Sequence, residues 1–160
     1  MSQVYLLIGG NLGDRFQLLK QVKELICNVF GGLKKESSIY ESEPWGFEAD
    51  QNFLNQVVVV STELEPINVL DKCQQIENDL GRIRSNSGYA SRTMDVDILF
   101  IDDKIIETER LIVPHEHLHK RKFTLLPLNE LSTDFIHPKL NKTFIELLKE
   151  CSDQSNVKKL

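Results

Sequence analysis

Residues 92–100 have the sequence Arg-Thr-Met-Asp-Val-Asp-Ile-Leu-Phe, which sets two carboxylates one residue apart inside an otherwise apolar run. The run favours a strand, and because successive strand side chains point to opposite faces, Asp95 and Asp97 share one face. The other face carries the apolar Met94, Val96 and Ile98. Two ionised carboxylates this close repel each other, and a bound Mg²⁺, which prefers oxygen ligands, would neutralise them. The plainer alternative is an edge strand with Asp97 in solvent and Asp95 at the end of a loop.

The strongest strand signal lies upstream, at residues 52–62, where a run of β-branched residues predicts a central strand. Phe53 and Asn55 fall on one face of this strand together with Val57 and Val59. An aromatic plane beside an amide that both donates and accepts hydrogen bonds suits a flat heterocycle. A core Phe beside an Asn that caps the preceding loop is the alternative.

Two long loops carry aromatic or cationic side chains. Residues 41–51 include Trp45, the only tryptophan. A loop of this length inside a compact domain is often functional. The alternative is that its aromatic side chains pack onto the core. Residues 82–92 hold three arginines and end just before the aspartate pair. Arginine presents a planar fork of donors that matches phosphate oxygens, so this loop could close over a charged substrate. A solvated loop with incidental arginines is the alternative.

The first half of the chain predicts two helices between strands. A strand at residues 4–8 ends at a glycine-rich turn, and Asp14, with Gln17 three residues later, caps a helix that stops at Gly31-Gly32. Pro66 begins a second helix that Gly81 ends, with Gln74 and Glu77 on the face opposite its apolar stripe, which consists of Ile67, Leu70, Cys73, Ile76 and Leu80.

A strand at residues 33–40 completes the order strand-helix-strand-strand-helix-strand, followed by C-terminal helices. This order predicts an α+β sandwich in which helices pack on a mainly antiparallel sheet. We also expect an antiparallel hairpin from the Asp102-Asp103 turn into residues 104–108. Thr143 and Glu146 predict a capping box at the start of the last helix, and residues 152–160 are expected to be a frayed tail.

The segment 110–123 contains His115, His117 and His119 at alternating positions. Pro114 indicates a helical turn here, in which these three side chains do not converge, so the pattern does not favour zinc. We predict instead a second cationic patch, with His115 and Arg121 as phosphate donors.

Composition limits the classes of function. The 160 residues fit one domain, and a net charge of −5 gives no sign of a general nucleic-acid binder. Cys27, Cys73 and Cys151 lack metal-ligand spacing and favour reduced thiols in a cytosolic protein. Since no apolar run approaches the ~20 residues that cross a bilayer, we predict a cytoplasmic protein that does not contact membranes.

Several motifs occur in one order along the chain: Pro44-Trp45-Gly46, Phe53-Leu54-Asn55, Gln74 with Glu77, Gly81-Arg82, Arg92-x-x-Asp95-Val96-Asp97-Ile98, Glu109-Arg110-Leu111, and Val113-Pro114-His115 with Arg121 and Phe123. With these motifs nearly the whole chain closely resembles the 6-hydroxymethyl-7,8-dihydropterin pyrophosphokinases of folate biosynthesis. The resemblance implies a ferredoxin-like fold and transfer of the pyrophosphoryl group of ATP to the pterin hydroxymethyl group, with release of AMP. It also implies two Mg²⁺ ions as cofactors.

The resemblance also implies the role of each site residue. Asp95 and Asp97 would hold the metal ions, with Asp95 close to the pterin, and Arg82 and Arg92 would be mobile catalytic arginines. The pterin would be bound by Ser42, Pro44, Trp45, Phe53, Asn55, Asp95 and Phe123. The ATP site would be formed by Gln74, Glu77, Arg84, Ile98, Arg110, Ile112, His115, Glu116 and Arg121. The loop departs from the family pattern at Gly88, Tyr89 and Ser91, so it could close differently.

Two other functions remain open at this stage. A non-catalytic module that binds a nucleotide or pterin could use the same fold, although it would need no metal at the phosphates. A magnesium-dependent nucleotidyltransferase would also use two aspartates but would release pyrophosphate. For the pyrophosphokinase the expected partners are ATP and 6-hydroxymethyl-7,8-dihydropterin, with no nucleic acid or membrane, and the expected state is a monomer or weak homodimer.

Overall fold

The computed structural model describes residues 1–44, 51–84 and 94–160, without the side chains of residues 82–84. Within them the helices are α1 (Arg15–Phe30), α2 (Pro66–Arg84), α3 (Lys122–Leu131) and α4 (Phe144–Glu150), with a 3-10 turn at Leu118–Lys120. The strands are β1 (Ser2–Gly10), β2 (Lys35–Glu36), β3 (Tyr40–Ser42), β4 (Phe53–Thr62), β5 (Asp95–Ile101), β6 (Ile106–Glu107), β7 (Ile112–Val113) and β8 (Val157–Lys159).

The main sheet has the strand order β5-β1-β4-β3-β8, with β2 also paired to β4, and every pair in it is antiparallel. Because β2 and β3 together take the second position of the βαββαβ order, this is a ferredoxin-like arrangement with an extra edge strand. The predicted α+β class is confirmed, and β4 is central as expected.

Alternation along the strands builds two cores, one on each face of the sheet. The even-numbered side chains of β4, such as Val58 and Val60, pack with α1 and α2, whereas Val57 and Val59 pack with α3 and α4. The strand pairing of β1 with β5 shifts register between Tyr5 and Leu6. Beyond this bulge the alternation of β5 changes, which explains why Leu99 and its neighbour Phe100 both pack in the second core.

The predicted first helix is confirmed at both ends. The Asp14 side chain accepts a hydrogen bond from the Gln17 backbone N–H at 3.2 Å, and Gly31 ends α1 in the left-handed conformation with φ 83°. The predicted end of α2 is wrong, since this helix continues through Gly81 to Arg84. Its buried stripe is also shifted, because Val69 is buried and Ile67 is exposed.

Two further predictions need correction. The strand after the Asp102 turn does not pair with β5; it is shorter than expected, Ile106–Glu107, and pairs with β7. Residues 152–160 are not a frayed tail, because β8 adds to the sheet beside β3 and the Leu160 N–H donates to the Ile39 carbonyl. The capping box of Thr143 and Glu146 is confirmed, and none of the described helices is long and apolar enough to span a membrane.

Candidate active site

The strand register brings the aspartate pair and the Phe53-Asn55 motif onto one face of the sheet. Asn55 of β4 pairs with Gly9 of β1, which in turn pairs with Asp95 of β5. In the next row Leu7 lies between Val57 and Asp97. Since neighbouring strands are about 4.8 Å apart, Asn55 and Asp95 lie about 10 Å apart across a position that carries no side chain. This spacing leaves room for a flat ring system above Gly9.

A cavity of about 230 Å³ occupies this position. Seven of the predicted site residues line it, namely Ser42, Phe53, Asn55, Asp95, Asp97, Arg121 and Phe123. They come from β3, β4, β5 and the start of α3, so widely separated parts of the sequence meet here. Leu7, Gly9 and Glu43 complete the lining. The cavity combines two aromatic rings, a buried amide, three carboxylates and a guanidinium.

Hydrogen bonding and close packing fix the amide of Asn55. This side chain is buried, and its Nδ2 donates to the Ser42 hydroxyl at 2.9 Å. A Cβ at Gly9 would lie only 2.5 Å from Asn55 Oδ1, so the position requires glycine. Sequence reasoning placed Gly9 in a turn, whereas it belongs to β1. Glycine inside a strand often marks close approach by another group, and this signal could have identified it.

The two carboxylates differ in exposure: Asp95 is exposed, whereas Asp97 is half-buried. Between them the Val96 N–H donates at 2.9 Å to Glu77, which is buried beneath β5. The interpretation that Glu77 lies with Gln74 on the outer face of α2 is therefore wrong. Glu77 and Asp97, after burial itself, contribute to raising the pKa of the Cys73 thiol to about 12, so this cysteine stays protonated.

No group of three or more His, Cys, Asp or Glu side chains in the described part of the chain could hold a metal ion. The cavity instead offers the carboxylates of Asp95 and Asp97. This donor set fits Mg²⁺, which is commonly bound through one or two carboxylates with substrate phosphates and water completing its shell. A structural zinc ion, which requires four nitrogen or sulfur ligands, would not fit.

Arg121 is the cationic residue of the cavity. Its guanidinium lies 5.8 Å from the centre of the Phe123 ring, and its buried Nε has no hydrogen-bond partner among the described residues. A buried donor without an acceptor is costly, so the group is suited to receive an anionic oxygen from a ligand.

His115 lies in a second cavity of about 120 Å³, with Ile112 and Glu116. Its Nδ1 accepts the His117 backbone N–H at 3.2 Å, which places the proton of the neutral ring on Nε2. Burial, then the positive charges of Arg121 and His117, lower the pKa of His115. The expected cationic patch therefore has a neutral His115 at neutral pH, which can donate through Nε2–H but carries no charge.

The remaining predicted residues lie elsewhere. Arg110 is exposed and forms an ion pair with Asp71 of α2 at 2.6 Å, whereas Gln74 is exposed on that helix. The Ile98 side chain is buried in the core, so only its backbone could touch a ligand. Pro44 lines a separate open cavity with Glu43 and the C-terminal residues. Trp45, the side chains of Arg82 and Arg84, and Arg92 with Tyr89 lie outside the described residues.

Sequence reasoning also missed Arg15. Its Nη1 donates to Glu41 Oε2 at 3.0 Å and to the Asn52 carbonyl at 2.8 Å. It thereby ties α1 to both β3 and the start of β4, directly beside Ser42 and Phe53. Nothing in the sequence pattern distinguishes Arg15 from a solvated helix residue, because its partners are 26 and 37 positions away.

The fold and cavity define a ferredoxin-like protein whose sheet carries a carboxylate-containing ligand pocket on one face. The model of the 7,8-dihydro-6-hydroxymethylpterin-pyrophosphokinase family matches residues 5–133. The chain belongs to this family. Membership confirms the predicted enzyme class, a pyrophosphokinase of folate biosynthesis.

Individual relatives agree with the family match. A 2-amino-4-hydroxy-6-hydroxymethyldihydropteridine pyrophosphokinase of Aquifex aeolicus is 39% identical over 99% of this chain and 95% of the relative. The protein of the same name from Bacillus subtilis is 44% identical over 79% of this chain and 76% of its own. The solved HPPK-DHPS of Plasmodium falciparum shares the fold with a TM-score of 0.74 at 19% identity, over 94% of this chain and 43% of that longer chain.

Proposed function

We propose that the protein transfers the pyrophosphoryl group of ATP to 6-hydroxymethyl-7,8-dihydropterin in an Mg²⁺-dependent reaction. The hydroxyl oxygen attacks the β-phosphorus, the bond from that phosphorus to the oxygen bridging to the α-phosphate breaks, and AMP leaves while the hydroxyl proton is released. The observation that carries the proposal is the meeting of Phe53, Phe123, Asn55 and the aspartate pair in one cavity.

The pterin is proposed to bind above Gly9. Phe53 and Phe123 offer apolar faces for the ring, and Asn55 Oδ1 accepts a hydrogen bond from its polar edge. The hydrogen bond from Asn55 to Ser42 supports this role because it holds the amide in one orientation before substrate arrives. The hydroxymethyl group then points toward Asp95, the acidic residue that pairs with Gly9 across β1 and β5.

The triphosphate is proposed to lie between the aspartate pair and the Arg121-His115 region. Two Mg²⁺ ions held by Asp95 and Asp97 would neutralise the phosphates and make the attacking hydroxyl more acidic. Arg121 supplies a charged donor and His115 a neutral Nε2–H donor. Arg82 and Arg92 would act at the transition state, and the other proposed nucleotide contacts are Gln74, Glu77, Arg84, Ile98, Arg110, Ile112 and Glu116. Positioning and charge neutralisation account for most catalysis in phosphoryl-type transfer.

The proposed surroundings follow from the same site. ATP and the pterin are small molecules, and the net charge of −5 does not favour nucleic acid as a partner. We propose a cytoplasmic location, where ATP and reduced pterins are both present, and a monomer or weak homodimer.

The identity of the product tests the proposal. The protein is incubated with ATP, MgCl₂ and 6-hydroxymethyl-7,8-dihydropterin, and nucleotides and pterins are separated by anion-exchange chromatography. We expect AMP and the pterin pyrophosphate in equal amounts, and neither without MgCl₂. Formation of ADP would instead indicate transfer of one phosphoryl group, and free pyrophosphate would indicate a nucleotidyltransferase. Binding of both substrates without any product would indicate a non-catalytic module.

A further inference from the structure

The C-terminal residues 152–160 contact both walls of the pterin cavity. They follow the matched family region, which ends at residue 133. One contact is with β3, which carries Ser42, and the other is with the start of α3, which carries Phe123. These two contacts are independent, since one is strand pairing and the other is a helix cap.

The strand contact supports the Ser42 wall. In β8, Val157 pairs with Ser42, whose hydroxyl accepts the hydrogen bond of Asn55. Lys159 of the same strand lies 3.7 Å from Glu130, a residue near the end of α3 that also accepts a hydrogen bond from the Tyr40 hydroxyl at 2.7 Å. The tail therefore gives β3 a neighbour on the side away from β4.

The cap contact supports the Phe123 wall. Arg121 takes the N-cap position of α3 but makes no capping hydrogen bond with its own side chain. Instead, the Lys122 N–H donates at 3.0 Å to Oδ2 of Asp153, 31 residues further along the chain. Oδ1 of the same carboxylate accepts the Ser155 N–H at 2.9 Å, so both oxygens are engaged. Lys122 lies between Arg121 and Phe123, the two residues that this end of α3 contributes to the cavity.

Glu43 shows that the tail reaches the edge of the cavity. It lines the pterin cavity and also a neighbouring one formed by Pro44, Lys120 and residues 152–155. Burial raises the pKa of Asp153, but hydrogen bonds from Ser155 and from the Lys122 and Ser155 backbones, with the charge of Lys122, lower it by more. The cap is therefore an ionised carboxylate at the positive end of a helix, which is the stronger kind.

We propose that Asp153 is a positioning residue for the pterin, which holds the start of α3 so that Phe123 and Arg121 face Phe53 and the aspartate pair. The inference rests on the proposed function, because it concerns the affinity of the same cavity for its substrate. Asp153 itself does not line the cavity, so its effect on the pterin is exerted through α3. A merely structural cap would change stability without distinguishing one substrate from the other.

Three variants separate these roles. Asp153→Ala removes the acceptor, whereas Asp153→Asn keeps an oxygen that can accept the Lys122 N–H. Thr143→Ala is the matched control, because it removes a side-chain cap from α4, a helix that contributes none of the described residues lining the cavity. Thermal unfolding, equilibrium binding of the pterin and of an ATP analogue with MgCl₂, and steady-state kinetics are measured for each.

We expect Asp153→Ala to weaken pterin binding and raise its KM by about fivefold, equivalent to about 1 kcal/mol, the usual loss for one cap. Its affinity for the ATP analogue should fall by less than its pterin affinity, because Arg121 is the one proposed ATP contact at this end of α3. Asp153→Asn should recover most of the pterin affinity. Thr143→Ala should lower the Tm by a similar amount and leave pterin binding unchanged.

Unchanged pterin affinity in Asp153→Ala would overturn the inference and leave the proposed function intact. Equal losses for pterin and ATP analogue, or a pterin loss of the same size in Thr143→Ala, would also overturn it by showing a general structural effect. Absence of pterin binding by the wild-type protein would overturn the proposed function and this inference together.

Discussion

Gly9→Ala tests directly whether the floor of the cavity must lack a side chain. The new Cβ would lie 2.5 Å from Asn55 Oδ1 and 2.7 Å from the Leu54 carbonyl oxygen, both well inside van der Waals contact. The amide could rotate away only by losing its 2.9 Å hydrogen bond to Ser42, and the carbonyl belongs to the backbone of β4. Overpacking of about 1–3 kcal/mol and a lost buried hydrogen bond of about 1 kcal/mol together predict a destabilisation of roughly 2–4 kcal/mol.

The same substitution should affect the two substrates differently. Since Asn55 would be turned away from the ring position, we expect at least about tenfold weaker pterin binding, the result of losing about 1.4 kcal/mol. Binding of an ATP analogue should change little. Urea unfolding measures the stability and titration calorimetry the two affinities. A Gly9→Ala protein that keeps wild-type stability and wild-type pterin affinity would refute both the packing argument and the position of the pterin.

Three further predictions concern residues away from the proposed metal ligands. Arg15→Met removes the hydrogen bonds to Glu41 and Asn52 that hold β3 and the start of β4 to α1. Titration calorimetry should show severalfold weaker pterin binding and unchanged binding of the ATP analogue. Lys23→Met is the control, because it breaks only the exposed ion pair with Glu36, 13 residues away, and it should have no effect. Gly81→Ala should stabilise the protein by about 0.5–1 kcal/mol in urea unfolding, since the glycine is helical and its Cβ would meet open space; destabilisation would contradict this. Burial, and then the charges of His119 and Lys139, lower the pKa of His137 to about 4. Between this pKa and the pKa of about 6.5 in the unfolded chain, the unfolded state binds more protons than the folded state. The free energy of unfolding should therefore fall as the pH drops through this range. His137→Asn should reduce that slope, and an unchanged slope would show that His137 does not titrate in this way.

The periodic features of the fold were predictable because they are local. The caps of α1 and α4 need residues only three positions apart, and the alternation in β4 follows directly from its β-branched run. The misses required tertiary information. Gly81 could not be recognised as helical because a glycine near the end of an apolar stripe is the usual signal that a helix stops there. Residues 157–159 could not be recognised as a strand because their pairing partner, β3, lies more than 110 residues earlier.

In the candidate site, too, the features set by local sequence could be predicted and those set by tertiary contacts could not. The aspartate pair and the Phe53-Asn55 face could be predicted from strand alternation, and the family motifs assigned their roles. That the two strands flank Gly9 depends on register, which no single strand specifies. The burial of Glu77, the neutral state of His115 and the long-range hydrogen bonds of Arg15 depend on contacts between distant segments, so they could not be predicted from sequence patterns.

In the proposed function the aspartate pair makes the cavity an ATP-dependent transferase site, and the rate of AMP release by Asp97→Asn tests this role most directly. Asp103→Asn is the matched control, since this exposed carboxylate lies in the turn just beyond β5. With ATP, the pterin and ordinary MgCl₂, we expect Asp97→Asn to be folded, as its unfolding curve will show. Its rate of AMP release should fall by about a hundredfold to a thousandfold, the range of losses when a key electrostatic group is removed. Asp103→Asn should match the wild type. Near-normal AMP release by folded Asp97→Asn would contradict the account.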